Sequence, residues 1–479
     1  MNKSNKALLI NGIIALALCL GIWFIPPIEP LTAVGMRTLG IFVGMLYGLT
    51  TMGYLIPSIL AICLMGISGA YESFGATLMA SFGNFIVTMT IALLLFAGVM
   101  SYSGLAKALA IRIVNAKFAS GKPWALTLAI MLAIAIPSIF LHPLITIVIV
   151  LQIVLNIFKV LELEKGNKWA IAILIMVVAV GIGAQGIMPF QMAVAIDYGI
   201  LNSFDSSLML PVATHIVTSL LMLIALCALS FVFVRIVGGK SIDKVYAYKA
   251  PEHNEPFDQN QKTALLILIG FIICLLFPLV LPDGLIKSVL TDVGTGGFSL
   301  LFTGLALIIR RRDGSPFITI KDITDHGMNW DLVLMLAAIN AVTGVMTLEV
   351  TGIGAWLTGI LSPMVGNMSP FGVFAVLILF AMITTNLTDC VAVAFVMIPI
   401  LYTITHNMGL SSLGFLCWAS HAWQFGMWLP AASPHVGILY TKTDSGYITR
   451  KNILVYTIPL VAGYTVLLLT LGWWTVPWF

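Results

Sequence analysis

The chain is a succession of long apolar tracts separated by short polar joints. At about 20 residues per membrane crossing, the tracts predict helices at roughly 7–24, 31–49, 52–69, 83–103, 209–236, 262–282, 295–310, 329–350 and 452–474. Four further tracts are not uniform. Residues 123–159 are interrupted around Pro137-Ser138 and Pro143, and residues 368–404 around Asn386 to Asp389, so each predicts a hairpin that enters and returns. Residues 169–200 are broken by Gly181-Ile182-Gly183-Ala184-Gln185-Gly186-Ile187-Met188-Pro189, and residues 411–440 by Gly426-Met427-Trp428-Leu429-Pro430-Ala431-Ala432-Ser433-Pro434. Such Gly- and Pro-rich runs are unsuited to continuous helix, and non-helical backbone at membrane depth is tolerated only against protein or a water-filled cavity. The expected fold is an all-α polytopic membrane protein with about 11 transmembrane helices plus two reentrant hairpins.

The basic residues test that layout. With the N-terminus in the cytoplasm and each hairpin returning to its own side, the positive-inside rule places Lys and Arg on alternate connections. All but Arg37 and Lys287 of the 23 Lys and Arg fall inside on this layout, and none lies between Lys321 and Lys442. Reading either hairpin as a single crossing would put the later basic loops outside. The C-terminus is therefore expected outside, and the cell inner membrane is the expected location.

The order of elements repeats. Phe96-Ala97-Gly98-Val99-Met100-Ser101-Tyr102-Ser103-Gly104-Leu105 is answered by Thr343-Gly344-Val345-Met346 and Thr351-Gly352-Ile353-Gly354, hairpin by hairpin, and Gln185-Gly186 by Gln424-Phe425-Gly426. An odd number of crossings separates the copies, so they run in opposite senses. The division follows: an N-terminal helix over 1–30, a first repeat over 31–236, a polar cytoplasmic linker over 237–261 and a second repeat over 262–479.

Composition fixes the solvent: 60% of residues are hydrophobic, 9% are charged and the mean hydropathy is +1.07, against roughly 25% charged in soluble domains. The first apolar stretch lacks the small-residue cleavage pattern of a secretory signal and is expected to be retained. The six cysteines are scattered without CxxC spacing, which argues against a disulfide framework or a zinc site. HExxH, GxSxG and GxxxxGK[ST] are absent, so the chain reads as no enzyme, needing no cofactor, and any transport as secondary rather than ATP-driven. No nucleic-acid partner is expected; the partners are the bilayer and a small solute.

Asp389 is the sharpest chemical feature. It lies in Thr384-Thr385-Asn386-Leu387-Thr388-Asp389-Cys390-Val391, followed by an apolar run to Ile400, and a carboxylate at membrane depth is expensive enough to mark a functional site by default. Where a helix is interrupted, free N–H groups and a partly positive N-terminus attract an anion while free C=O groups attract a cation. The four breaks are therefore expected to converge on one site.

Met36-Arg37-Thr38-Leu39-Gly40-Ile41-Phe42, Asn329-Trp330-Asp331-Leu332-Val333-Leu334-Met335-Leu336 and Leu429-Pro430-Ala431-Ala432-Ser433-Pro434 with Ser445-Gly446-Tyr447-Ile448 give the chain a resemblance to divalent anion/sodium symporters of the ion transporter superfamily. That resemblance implies two hairpins with Ser-Asn-Thr tips, a homodimeric elevator, and sodium-coupled or exchange transport of di- and tricarboxylates or sulfate. By position, the first signature falls on Ser138-Ile139-Phe140, where the serine survives, and the second on Asp389-Cys390-Val391, where nothing does. The Thr-Pro of the second broken helix corresponds to Ser433-Pro434. Ile139, Phe140 and Val391 supply no amide groups, so Asp389 stands to replace a cation ligand, carry a proton or pair with a cationic solute.

The breaks and the resemblance together nominate Ser138, Gln185, Gly186, Thr388, Asp389, Ser433 and Pro434 for substrate. They nominate Pro137, Ser138, Gly183, Asn386, Asp389, Cys390 and Ala432 for a coupling cation, Na+ or H+. The function expected is cation-coupled elevator transport of a small organic anion. The alternatives are an exchanger or carrier of a zwitterionic or cationic solute with Asp389 as counter-charge, and, fitting the repeat less well, a channel.

Overall fold

In the computed structural model, residues 3–479 are described except 84, 190, 206, 252–254, 280, 283, 347, 366, 367, 389 and 431. Asp389 and Ala431 therefore lie outside the described residues. A first helix, α1 (Lys3–Gly21), precedes two runs of ten helices. The first run is α2 (Ala33–Met52), α3 (Leu55–Ile67), α4 (Phe74–Phe82), α5 (Phe85–Tyr102), α6 (Leu105–Val114), α7 (Pro123–Phe140), α8 (Pro143–Val160), α9 (Lys168–Ala184), α10 (Met192–Phe204) and α11 (Val212–Gly238). The second is α12 (Gln259–Leu276), α13 (Leu285–Ile308), α14 (Ile320–Gly327), α15 (Trp330–Met346), α16 (Ile353–Val365), α17 (Pro370–Leu387), α18 (Cys390–Asn407), α19 (Ser412–Gln424), α20 (Pro434–Thr441) and α21 (Arg450–Leu467).

Each helix of the first run has its counterpart ten places later. The match extends to local chemistry. Ser103 Oγ accepts from Leu105 N at 3.1 Å and donates to Met100 O at 2.7 Å; Thr351 Oγ1 accepts from Ile353 N at 3.3 Å and donates to Leu348 O at 2.9 Å. The glycine between each pair is left-handed, Gly104 at φ 69° and Gly352 at φ 67°, a conformation that costs glycine little. These turns launch α6 and α16, two short helices that the apolar tracts did not reveal.

Among the described residues, ten helices are long and apolar enough to cross a membrane, or twelve if the bent pairs α4–α5 and α14–α15 each count as one span, the second pair bending by 69°. Each hairpin arm is 18 residues long, about 27 Å at 1.5 Å per residue. The arms are thus longer than a shallow reentrant loop requires, while the return to the starting side is unaffected. The hairpin α7–α8 packs on α9, and α17–α18 on α19. The halves then interlock: α10 packs on α18 and α19 of the second run, and α20 packs on α8 and α9 of the first.

One boundary is corrected. The glycine-rich run does not break the first helix at Gly181; α9 continues to Ala184 and the interruption spans 185–191. The glycines serve close packing instead. A Cβ at Gly181 would stand 2.6 Å from Ile147 of α8, and one at Gly183 would stand 2.3 Å from Leu226 of α11. Both sit in a helix buried along nearly its whole length, where the ladder satisfies the backbone and removal of a side chain brings neighbours closer.

Candidate functional site

One cavity of about 180 Å³ is lined by residues of both hairpins, the first break, the ends of α19 and α20 that flank the second break, and α15. The first turns of four helices form part of its wall: Pro143 and Leu144 of α8, Ala193 of α10, Cys390 and Val391 of α18, and Pro434 and His435 of α20. Gln185, Gln191, Asn329, Asp197, Trp423 and Gln424 add polar groups. A second cavity on the other side of the first hairpin tip shares His142 and Gln191 with it and reaches Lys107.

The two hairpin tips are tied to the breaks by different devices. Gln191, in the first break, donates from Nε2 to the carbonyls of Ser138, Ile139 and Leu141 at 3.0, 3.1 and 3.2 Å, gathering the oxygens left free where α7 ends. In the second half, Asn386 at the end of α17 reaches the other way. Its Oδ1 accepts from Met427 N at 2.8 Å and Trp428 N at 3.1 Å, and its Nδ2 donates to Met382 O and Phe425 O at 2.8 and 3.4 Å. Thr385 donates to Trp423 O, and Cys390 N to Ala432 O at 3.1 Å. Gly426 must lack a side chain, because a Cβ there would lie 2.9 Å from both Ala432 Cβ and Thr385 O.

Of the nominated residues, Gln185, Cys390 and Pro434 line the cavity. Ser138 is fully buried at the first tip, its Oγ without a hydrogen-bond partner among the described residues. Ser433 caps α20, accepting from Val436 N at 3.3 Å. Asn386 is fully buried and committed to the second break rather than open to an ion. Gly186 lies under the His421 ring, with 2.5 Å from a Cβ to Cε1. Thr388 closes α17 with its N–H on Thr384 O at 2.9 Å. Pro137 lies inside α7, Gly183 inside α9, and Ala432 is spent on its contacts with Cys390 and Gly426; none of the three is among the residues lining the cavity.

Sequence reading passed over Asp197. It is 2% exposed on α10, and its Oδ2 accepts from Ser420, from Trp423 Nε1 at 3.2 Å and from Gln424 Nε2 at 3.0 Å, all on α19 of the other half. The signal was present: Asp197 is a lone acid in Ala193-Val194-Ala195-Ile196-Asp197-Tyr198-Gly199-Ile200, the same pattern that singles out Asp389. The histidines separate by environment. His142 Nδ1 caps α8 by accepting from Leu144 N at 3.3 Å, and His421 Nε2 pairs with Ser219 Oγ at 3.0 Å. His435, 7% exposed, has neither ring nitrogen hydrogen-bonded among the described residues. Trp418 is fully buried beside His421 and Gly472, so it belongs to the core. No cluster of His, Cys, Asp and Glu able to hold a metal occurs among the described residues.

The fold has a solved counterpart. The Alcanivorax borkumensis YdaH transporter, described as having an unusual topology, superposes with a TM-score of 0.61 at 15% identity, over 87% of this chain and 96% of that one. No curated protein matches the sequence. The family profile described as CitMHS, citrate transporter, matches residues 32–423, a stretch that holds both hairpins, the first break, Asp197 and two of its three donors, Ser420 and Trp423. By that match the chain belongs to the CitMHS citrate transporter family.

Proposed function

We propose that the protein is a secondary active transporter that moves a small organic anion of the di- or tricarboxylate class, citrate first among them, with cation coupling and an elevator-type exchange of access. The observation that carries this reading is the meeting of four helix first turns in one cavity wall. Each helix N-terminus presents about half a positive charge, so four together offer roughly two, in a pocket where the bilayer and the packed hairpins keep screening water scarce. That field suits a polyanion without any Lys or Arg among the cavity-lining residues. The family description supports the same class of solute.

A carrier of a cationic solute with Asp389 as counter-charge is the weaker reading, because the family description names an anionic solute and the buried acid that borders the cavity, Asp197, already has three donors on its Oδ2. The elevator is supported by the hairpins packed on the broken helices and by the glycine-lined contacts along α9. The test is purified protein in proteoliposomes, with radiolabelled citrate on one side and a sodium or proton gradient imposed in turn. Saturable accumulation against a gradient, competed by other tricarboxylates, is expected; non-saturating flux that never exceeds equilibrium would mean a channel and sink the proposal.

A further inference from the structure

We infer that Asp197 is the carboxylate whose protonation couples transport to a proton gradient, an assignment that rests on the transporter reading above. Asp197 is nine-tenths and more buried, and its ionised form is held by neutral donors alone: the Ser420 hydroxyl, the Trp423 indole and the Gln424 amide. Gln424 Nε2 also donates to Ser420 Oγ at 2.8 Å, so the donors form a linked set on one face of α19. All three address Oδ2. Oδ1 has no hydrogen-bond donor among the described residues, and Asp197 borders the cavity.

The arrangement selects the ion. Two of the three groups on Oδ2 are N–H donors, which present hydrogen and cannot ligate a metal. A sodium ion at that oxygen would face the positive ends of its neighbours, whereas a proton needs one oxygen lone pair, which Oδ1 retains. The balance is simple: Oδ1 takes a proton from water in the cavity, the carboxylate becomes the neutral acid, and the proton returns to water when the cavity opens to the other side. A buried charge with no ionic partner is costly in the membrane, so loading the proton removes a charge from the moving site as the anionic solute adds its own.

The ionisable groups on elements packed against α10 are Tyr102 on α5, Asp331 on α15, Cys390, Tyr402 and His406 on α18, and Cys417 and His421 on α19. Of these, Tyr402 stacks on Phe204 at the far end of α10, and His421 is engaged by Ser219. Tyr198, next to Asp197, is engaged by His215 of α11 at 3.3 Å, and His142 and His435 line the same cavity. None of these groups hydrogen-bonds Asp197, so its protonation is not shared through a bond.

The experiment compares wild type, Asp197→Asn and Asp197→Glu in proteoliposomes, reading citrate counterflow and citrate accumulation under an imposed proton gradient. One coupled proton across about one pH unit supports about tenfold accumulation. Wild type is expected to accumulate, Asp197→Glu to accumulate in part, and Asp197→Asn to retain measurable counterflow while accumulating nothing. Accumulation by Asp197→Asn equal to wild type, or wild-type accumulation driven by sodium with no response to the proton gradient, would overturn the inference. Absence of citrate counterflow in wild type would instead count against the transporter reading. Should Asp197→Asn fail to fold, Trp423→Phe keeps the carboxylate and removes one donor to its ionised form, so the pH profile of proton-driven uptake moves toward alkaline pH; an unmoved profile would also overturn the assignment.

Discussion

At the scale of the residue, the informative groups are polar atoms held in apolar surroundings without compensation. His435 lies buried in the first turn of α20 with both nitrogens unpartnered among the described residues, and a buried group left in that condition costs about 1–3 kcal/mol. A tolerated cost of that kind points to a partner that arrives with the solute. His435→Phe keeps an aromatic ring of similar size and removes both nitrogens; the expected result is a thermal midpoint equal to or above wild type with citrate affinity lowered roughly tenfold, the loss of about one hydrogen bond to a charged group. Weakened stability with unchanged affinity would assign His435 to packing. Asp389→Asn is argued differently, because Asn preserves size and much of the capping ability of Asp but cannot carry charge. With the coupling proton assigned to Asp197, Asp389→Asn is expected to weaken citrate counterflow and accumulation alike with the fold intact, and wild-type uptake would make Asp389 structural.

At the scale of the element, the breaks are held open by side chains rather than left as unfolded gaps. An interrupted helix exposes backbone groups that lipid cannot satisfy, and Asn386 satisfies two of them at Met427 and Trp428. Asn386→Ala should therefore destabilise by about 1–3 kcal/mol for each N–H left unpaired, visible as a lowered thermal midpoint in detergent, and Asn386→Asp should cost less because the acceptor remains. Equal stability of all three proteins would show that the second break does not depend on this side chain. The hairpins and breaks were legible in the sequence because Pro, Gly and polar residues interrupt apolar runs. The limits of the first break were not, because a glycine in a helix that opens space for Ile147 or Leu226 looks the same in one dimension as a glycine that ends a helix.

At the scale of the whole molecule, the two runs of ten helices interlock through α10 and α20, each crossing to the other half. The basic loops predict the sidedness. Single cysteines placed in the linker 237–261 should label from the cytoplasmic side alone and those at 405–411 from the outside alone; labelling of both from one side would refute the layout. Exposed native Cys63 is replaced first in such an experiment.

Hydrophobic length, helix-breaking runs, charge asymmetry and the echo between halves determined the membrane class, the helical fold and the approximate positions of the hairpins and breaks, because each is a property of local sequence read against the solvent. Family resemblance was likewise legible, and the match over residues 32–423 supports it. What only the tertiary structure decided is which side chains meet. Asp197 and its donors Ser420, Trp423 and Gln424 are separated by more than two hundred positions, so the apolar run around Asp197 can mark it as a buried acid but cannot say which side chains will cradle it. The packing of α10 on α19 decides it, since burial turns an ordinary acid into one whose charge must be either solvated by donors or given up.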